Sequence, residues 1–369
     1  MTSGSGVAVV AGHLCLDIIP TLPAVDVSAI VRPGGLTEVG PAALVAGGVV
    51  SNTGRALHRL GVSTRLVAKL GDDPLGAITR QILRDESPEL VRQLRVEPGA
   101  SSSYSIVLSP PGGDRSFLHY GGANNAFGAD DVDDNVLDGA GVFHFGYPSI
   151  VPRMYAEGGR ELEELYRHAR SAGATTSLDL AMPDPLGPSG QVDWSSVLAR
   201  VLPHVDLFLP TAEELAAMLH LSAASVPDLA ATALRLGARV VALKLGPRGL
   251  YLRTAKGDLT GVGEQWQSRE LWMPAFAVSR VAGTTGAGDA AVAGFLAAFL
   301  RGRSPEDTLR FASAVGACSV EALDSVSAIL GWEQTQARLT AGWPLATHSV
   351  DLPDSRKDAL GCWHGPGDA

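Results

Sequence analysis

Gly283-Thr284-Thr285-Gly286-Ala287-Gly288-Asp289 runs directly into Ala290-Ala291-Val292-Ala293-Gly294-Phe295-Leu296-Ala297-Ala298-Phe299-Leu300. The second segment is apolar on every side, so it predicts a helix, Asp289–Arg301, sunk in a core rather than lying on a surface. The first N–H groups of such a helix have no carbonyl partner within it and little access to water. Glycines at 286 and 288 let the backbone turn its N–H groups toward an anion without a Cβ in the way. Those amides and the positive end of the helix dipole together favour a phosphate. A carboxylate placed there, Asp289, has a use if it must take a proton from a hydroxyl attacking that phosphate. The competing reading is structural: a tight glycine turn with Asp289 capping the helix. No GxxxxGK[ST] occurs in the chain, and Gly286-Ala287-Gly288 is not continued as GxGxxG.

Outward from this loop, short apolar runs bounded by Gly, Pro or Asp alternate with helical patterns, as in an α/β fold with a mostly parallel sheet. The predicted strands are Val7–Val10, Arg65–Lys69, Val142–Phe145, Thr176–Asp179, Leu207–Leu209 and Val240–Lys244. The predicted helices are Ser51–Leu60, Leu75–Leu83, Gly158–Ala172, Ala212–His220, Val226–Leu236 and Pro305–Glu321. The last of these opens with Ser304 as cap and Pro305 in the first turn. Residues 18–46 and 101–122 break the alternation. They are rich in β-forming residues, Gly and Pro, hold no evident helix, and read as strands of a small flap within one domain, 1–345. Residues 346–369 read as a polar, loosely held tail.

Composition narrows the function. The 369 residues carry 29 Lys and Arg against 39 Asp and Glu, a formal charge of −10. That balance speaks against coating nucleic acid or an anionic membrane. Three cysteines without a CxxC pair fit a reducing cytoplasm and no zinc site. The apolar run near residue 290 is too short to span a bilayer. The expected partner is a small molecule.

Several further motifs stand in order along the chain. They are Gly12-His13-Leu14-Cys15-Leu16-Asp17; Gly47-Gly48-Val49-Val50-Ser51-Asn52; Lys69-Leu70-Gly71-Asp72-Asp73-Pro74-Leu75-Gly76; and Gly122-Ala123-Asn124. With Thr284–Ala290 and Ala293-Gly294-Phe295, this series resembles the ribokinase-like, or PfkB, carbohydrate kinase family over nearly the whole chain. The resemblance implies a three-layer α/β/α domain whose β flap closes as a lid over a sugar. It implies ATP and Mg2+, with Asp289 as base and the amides of Gly286, Ala287 and Gly288 holding phosphoryl charge. Asp17, Gly47, Gly48, Asn52 and Asn124 would bind the substrate. Lys244, Gly246 and Gly249, in Lys244-Leu245-Gly246-Pro247-Arg248-Gly249, and Thr285 would lie along the nucleotide. As bare sequence the same stretch is a strand ending in a turn, with Lys244 equally able to pair with an acid on the sheet. A homodimer formed through the flaps is a further expectation.

The sequence departs from the family pattern in places. Gly283 stands where an Asp usually helps hold a monovalent cation, which puts K+ in doubt. Ala291 replaces a common aromatic residue. The family's N-x-x-E element appears as Thr211-Ala212-Glu213-Glu214, where Glu214 would reach a metal through water, or where Thr211 and the acids form an ordinary helix start. Three activities remain open on this reading: a kinase acting on a sugar or polyol hydroxyl, a nucleoside kinase, and a sugar- or nucleotide-binding regulator that kept the fold. His144 reads as a satisfied core histidine. His119 and Tyr120 would face either the substrate or the flap's own sheet, and Arg115 reads as a solvated turn residue.

Overall fold

A computed structural model describes residues 6–25, 27–30, 32–111, 116–257, 259, 261–348 and 350–368. Arg115 lies outside them. The central sheet has ten strands. From one edge they are Arg356–Lys357, Trp363–His364, Glu270–Met273, Leu250–Thr254, Val240–Lys244, Leu207–Phe208, Thr175–Asp179, Ala140–Gly146, Val7–Gly12 and Thr64–Val67. From Val240–Lys244 to Thr64–Val67 all pairings are parallel. The remainder are antiparallel.

The parallel strands are apolar at consecutive positions because both sheet faces are covered. Ala8 and Val10 join one core with the helices Gly48–Arg59, Ala287–Leu300 and Pro305–Ser319. Val9 and Ala11 join a second core with the helices Arg160–Ser171, Trp194–Val201, Ala212–Met218 and Val226–Arg235. Alternation of side chains across a strand thus builds three layers. The helix predicted over Asp289–Arg301 begins two residues earlier, at Ala287. It packs closely on Pro305–Ser319, since a Cβ at Gly294 would stand 2.9 Å from the Ala312 Cα.

A second sheet of four strands lies beside the first: Ala42–Gly47, Cys15–Pro20, Tyr104–Leu108 and Ser116–Tyr120. It is the flap, drawn from the two segments that broke the α/β alternation. One short helical turn, Val27–Ile30, lies within a stretch expected to hold none. The edge strand Ser116–Tyr120 is exposed along its length, Phe117 and Leu118 included. The expected pairing of two copies would use this edge.

Two expectations need correction. The strand predicted over Arg65–Lys69 ends at Val67, and Lys69–Gly71 pairs instead with Arg95–Glu97 in a separate small sheet. Part of the C-terminal stretch is not loose. Trp363–His364 adds to Glu270–Met273, Cys362 is fully buried, and the Arg269 guanidinium binds both Glu306 and Asp368. Asp368 ion-pairs with Arg269 of the domain, and His364 pairs with Asp358 and Asp368 within the stretch itself, which a composition-based reading cannot see. Among the described residues no helix is long and apolar enough to cross a membrane.

Candidate active site

The C-terminal ends of the parallel strands converge on the start of the helix Ala287–Leu300. Gly12 ends one strand, Tyr147 follows another, Asp179 and Lys244 end two more, and Thr211 lies three residues past Phe208. In open α/β sheets this end carries the ligand crevice.

Gly286 precedes the helix with φ +71°, a left-handed conformation that glycine adopts without strain. A Cβ there would also stand 2.2 Å from the Ser325 Cβ. Asp289, the third residue of the helix, is 2 % exposed and makes no capping bond. The structural reading of that carboxylate as a cap therefore fails. Its oxygens instead accept from side chains: Asn52 Nδ2 at 2.9 Å, Thr53 Oγ1 at 3.4 Å, and the Tyr147 hydroxyl at 2.8 Å from both Oδ1 and Oδ2. Of the three loop amides expected to face an anion, that of Ala287 donates at 3.3 Å to the Thr284 carbonyl. The Gly288 N–H lies in the first helical turn, whose N–H groups have no carbonyl partner within the helix.

Lys244 lies beside this loop. A Cβ on Gly288 would be 3.3 Å from its Nζ. The ammonium bonds Asp179 at 2.7 and 2.6 Å, with both side chains buried. The alternative in which Lys244 pairs with an acid on the sheet is thus realised, and that pair stands at the anion loop. Burial opposes the charge on Lys244, but Asp179, Glu214 and Asp289 outweigh it and hold the amine above the usual lysine value. Burial raises the Asp289 carboxyl above the ordinary range, against the pull of Lys244 and of the hydrogen bonds from Asn52, Tyr147 and Thr53. Glu214 is likewise raised by burial, with Lys244 opposing and Asp289 adding to it. Three carboxylates around one ammonium cannot all be stabilised as anions, and this keeps Asp289 closer to the proton-accepting range than a surface aspartate.

Thr211 and Glu214 form a reciprocal cap, Thr211 N–H to Oε2 at 2.9 Å and Glu214 N–H to Oγ1 at 3.0 Å. Glu214 is thus both a helix-start residue and a member of the acid cluster. Among the described residues, no three His, Cys, Asp or Glu side chains converge as a metal-holding group.

On the flap side, Asp17 lies against Gly47, where a Cβ would stand 2.1 Å from Oδ2. Burial drives its carboxyl up to about 6, with hydrogen bonds from Cys15 and Ser105 opposing and Asp289 adding to the shift. Gly48, φ +80°, lets His13 approach, since a Cβ there would meet Nδ1 at 2.6 Å. His13 is almost fully buried and its ring meets His119 of the flap edge-on, centroids 4.9 Å apart. His119 also bonds Ser105 Oγ at 3.1 Å, so it serves the flap's own sheet as well as facing the site.

Some expected residues have other tasks. Asn124 is fully buried, and its amide donates to the Leu14 carbonyl at 2.7 Å and accepts from the Leu14 N–H at 3.4 Å. It ties the flap strand down and is not available to a sugar. Asn52 spans Asp289 and Ser325, whose hydroxyl donates to Oδ1 at 2.7 Å. Gly249, φ +90°, is required by packing, because a Cβ would meet the Met273 carbonyl at 2.1 Å. Gly246, φ +57°, faces open space, and Thr285 is half-buried on the loop. His144 bonds Ser177 Oγ at 2.9 Å as a core residue, while its Nε2 has no partner, and burial lowers it to about 3.

Sequence reasoning missed Tyr147, Asp179, His13, Thr53 and Ser325. For Asp179 a signal existed, since it ends a predicted parallel strand. Tyr147 adopts φ +66°, ψ +47°, a left-handed conformation costing a bulky residue about 1–3 kcal/mol. Its ring lies 28° from that of His13, centroids 6.4 Å apart.

Known proteins resemble the chain along most of its length. A maize (Zea mays) protein named fructokinase-1 is 27% identical over 86% of this chain and 92% of its own. The 2-dehydro-3-deoxygluconokinase of Bacillus subtilis is 26% identical over 84% and 90%. In fold, the chain is similar to Xylella fastidiosa fructokinase with bound ATP, with a TM-score of 0.73 and 22% identity over 91% of this chain and 98% of that one. Arabidopsis thaliana ribokinase complexed with ribose and ATP gives 0.71 and 21% over 90% and 98%. Residues 8–329 match the pfkB family carbohydrate kinase pattern, and the chain belongs to that family of carbohydrate kinases.

Proposed function

We propose that the protein transfers the γ-phosphoryl group of ATP to a primary hydroxyl of a sugar or related polyol, with Asp289 as the base. The observation that carries this reading is the buried Asp289 carboxylate, raised toward the proton-accepting range, beside the first turn of an apolar helix and the Lys244 ammonium. The sugar names of its relatives, spread over most of their length, support a sugar as acceptor.

In this mechanism the acceptor lies between Asp17 and Asp289. Gly47 and Gly48 let Asp17 and His13 pack close beside the acceptor's place, and Asn52 fixes the orientation of the base. As the acceptor oxygen bonds to the γ-phosphorus and the bond to the ADP oxygen breaks, the hydroxyl proton passes to Asp289. The N–H groups of the first helical turn and Lys244 stabilise charge on the transferred group, and they do so strongly because the site is dry. Gly246, Gly249 and Thr285 shape the turns along the nucleotide. Magnesium commonly binds through one or two carboxylates plus substrate phosphates. Glu214, the half-buried member of this acid cluster, fits such a site through a water, and the ion would neutralise phosphate charge there.

The test is ADP release with a panel of sugars and nucleosides. Asp289→Asn should lower turnover by roughly 10²–10⁴-fold with acceptor binding retained. A wild type that binds sugars without turnover, or an Asp289→Asn variant with full turnover, removes this reading.

A further inference from the structure

We propose that Tyr147 is a positioning residue that holds the acceptor's place on Asp289 until a sugar displaces it, and so withholds the base from water. The inference rests on the role given above to Asp289. The phenolic oxygen is 2.8 Å from both carboxylate oxygens. A single O–H donor equidistant from both lies across the mouth of the carboxylate, where an attacking hydroxyl must deliver its proton. Asn52 and Thr53 take the other approaches. No hydroxyl can bond Asp289 from that side while the phenol is there.

The backbone explains how a tyrosine comes to be there. Left-handed φ at Tyr147 turns the chain sharply out of the strand Ala140–Gly146, and its N–H bonds the Asp179 carbonyl at 3.3 Å. The ring lies along His13, which in turn meets His119 of the flap. A contiguous set of rings therefore runs from the base to the lid. Burial and the nearby carboxylates hold the phenol well above its ordinary value, so it stays protonated and able to donate.

The chemistry being suppressed is hydrolysis. With Asp289 uncovered, a water oxygen would bond to the γ-phosphorus, the bond to the ADP oxygen would break, and the water proton would pass to Asp289, giving ADP and phosphate. A single water competes poorly with the tethered phenol. A polyol anchored by other hydroxyls, Asp17 among its partners, displaces it.

Tyr147→Phe keeps the ring and removes only the hydroxyl. Tyr147→Asn tolerates the left-handed backbone and is too short to reach Asp289, so it serves if the first variant misfolds. Each is assayed with ATP alone and with D-fructose or D-ribose, whichever the wild type phosphorylates. ADP release without sugar, relative to release with it, should rise about tenfold, the worth of one competing hydrogen bond to a charged group. The acid limb of kcat/KM, which reports the free enzyme where the phenol lies on Asp289, should also move to higher pH, because a donor that lowers Asp289 is gone. If the ratio or the acid limb stays at the wild-type value in the folded variants, the inference is overturned. Asp289→Asn separates the two claims. If it leaves sugar phosphorylation intact, the base assignment fails; if it abolishes phosphorylation while the Tyr147 variants behave as wild type, only the Tyr147 inference fails.

Discussion

Asp17 shows how burial sets the working range of a single side chain. Desolvation, with the charge of Asp289 nearby, pushes its carboxyl up to about 6. Above that value it is a carboxylate able to accept from sugar hydroxyls, and below it the group is neutral. The sign is therefore fixed: affinity for the acceptor falls as pH falls through about 6, and KM rises. Asp17→Asn should raise KM for the acceptor by about 10–100-fold, the worth of a hydrogen bond to a charged group, with kcat little changed. Initial rates between about pH 5 and about pH 7.5, a span that brackets a raised carboxyl, decide the matter. A wild-type KM that is flat across it would remove Asp17 from the acceptor site. Asp179 is pushed further in the same direction, up to about 7, by burial and by Glu214 and Asp289, against the pull of the Lys244 ammonium.

At the scale of elements, the loop before the helix Ala287–Leu300 is held by backbone geometry. Gly286→Ala would meet both a left-handed φ of +71° and the Ser325 Cβ at 2.2 Å, whereas Gly246→Ala meets only its φ of +57°. The second change should cost about 1–2 kcal/mol, the left-handed penalty alone. The first should cost more and also abolish activity, because Ser325 supports Asn52 and Asn52 supports Asp289. Denaturant midpoints of the two variants compare them directly, and equal losses would refute the packing argument. The same loop and the parallel strands were legible in the sequence because both are local: two-sided burial writes continuous apolar runs, and an anion loop writes glycines before an apolar helix. The antiparallel additions Leu250–Thr254 and Glu270–Met273 escaped notice, since a short strand between turns has little periodicity to read. Of the residues placed at the candidate site, Asp17, Gly48 and Asn52 stand in motifs that the sequence shows in order along the chain. Tyr147 was not legible, because its position depends on a left-handed turn that a sequence ordinarily assigns to glycine. Asn124 was assigned to the sugar, yet its amide is consumed by Leu14, a contact 110 residues away that no local pattern reveals.

Over the whole molecule, the last residues act as a strap across the antiparallel edge of the sheet. Trp363 pairs with Trp272 in the ladder, their ring centroids 6.0 Å apart, and Asp358 and Asp368 flank His364 at 3.3 and 2.6 Å. Glu270 accepts from the Gly367 N–H at 2.7 Å and from the Tyr251 hydroxyl at 2.6 Å. Removing residues 352–369 would uncover Trp272 and take Asp368 from the Arg269 guanidinium, leaving it Glu306 and the Gln265 carbonyl. The loss of a buried cysteine, a tryptophan contact and two strands at the sheet edge should lower Tm by roughly 5 °C in a chain of this size. Among the described residues, none of the removed side chains bonds or ion-pairs with Asp17, Tyr147, Lys244 or Asp289, so KM and kcat at low temperature should stay at wild-type values. Thermal melts beside steady-state kinetics read the two effects separately. A truncated chain that melts as the full one does would show the strap to be a passive cover, and one that loses kcat while still folded would show that the far edge of the sheet reaches the catalytic end. Stability and chemistry are separable here because the ion-paired edge and the acid cluster occupy different strands, joined only through the buried middle of the sheet.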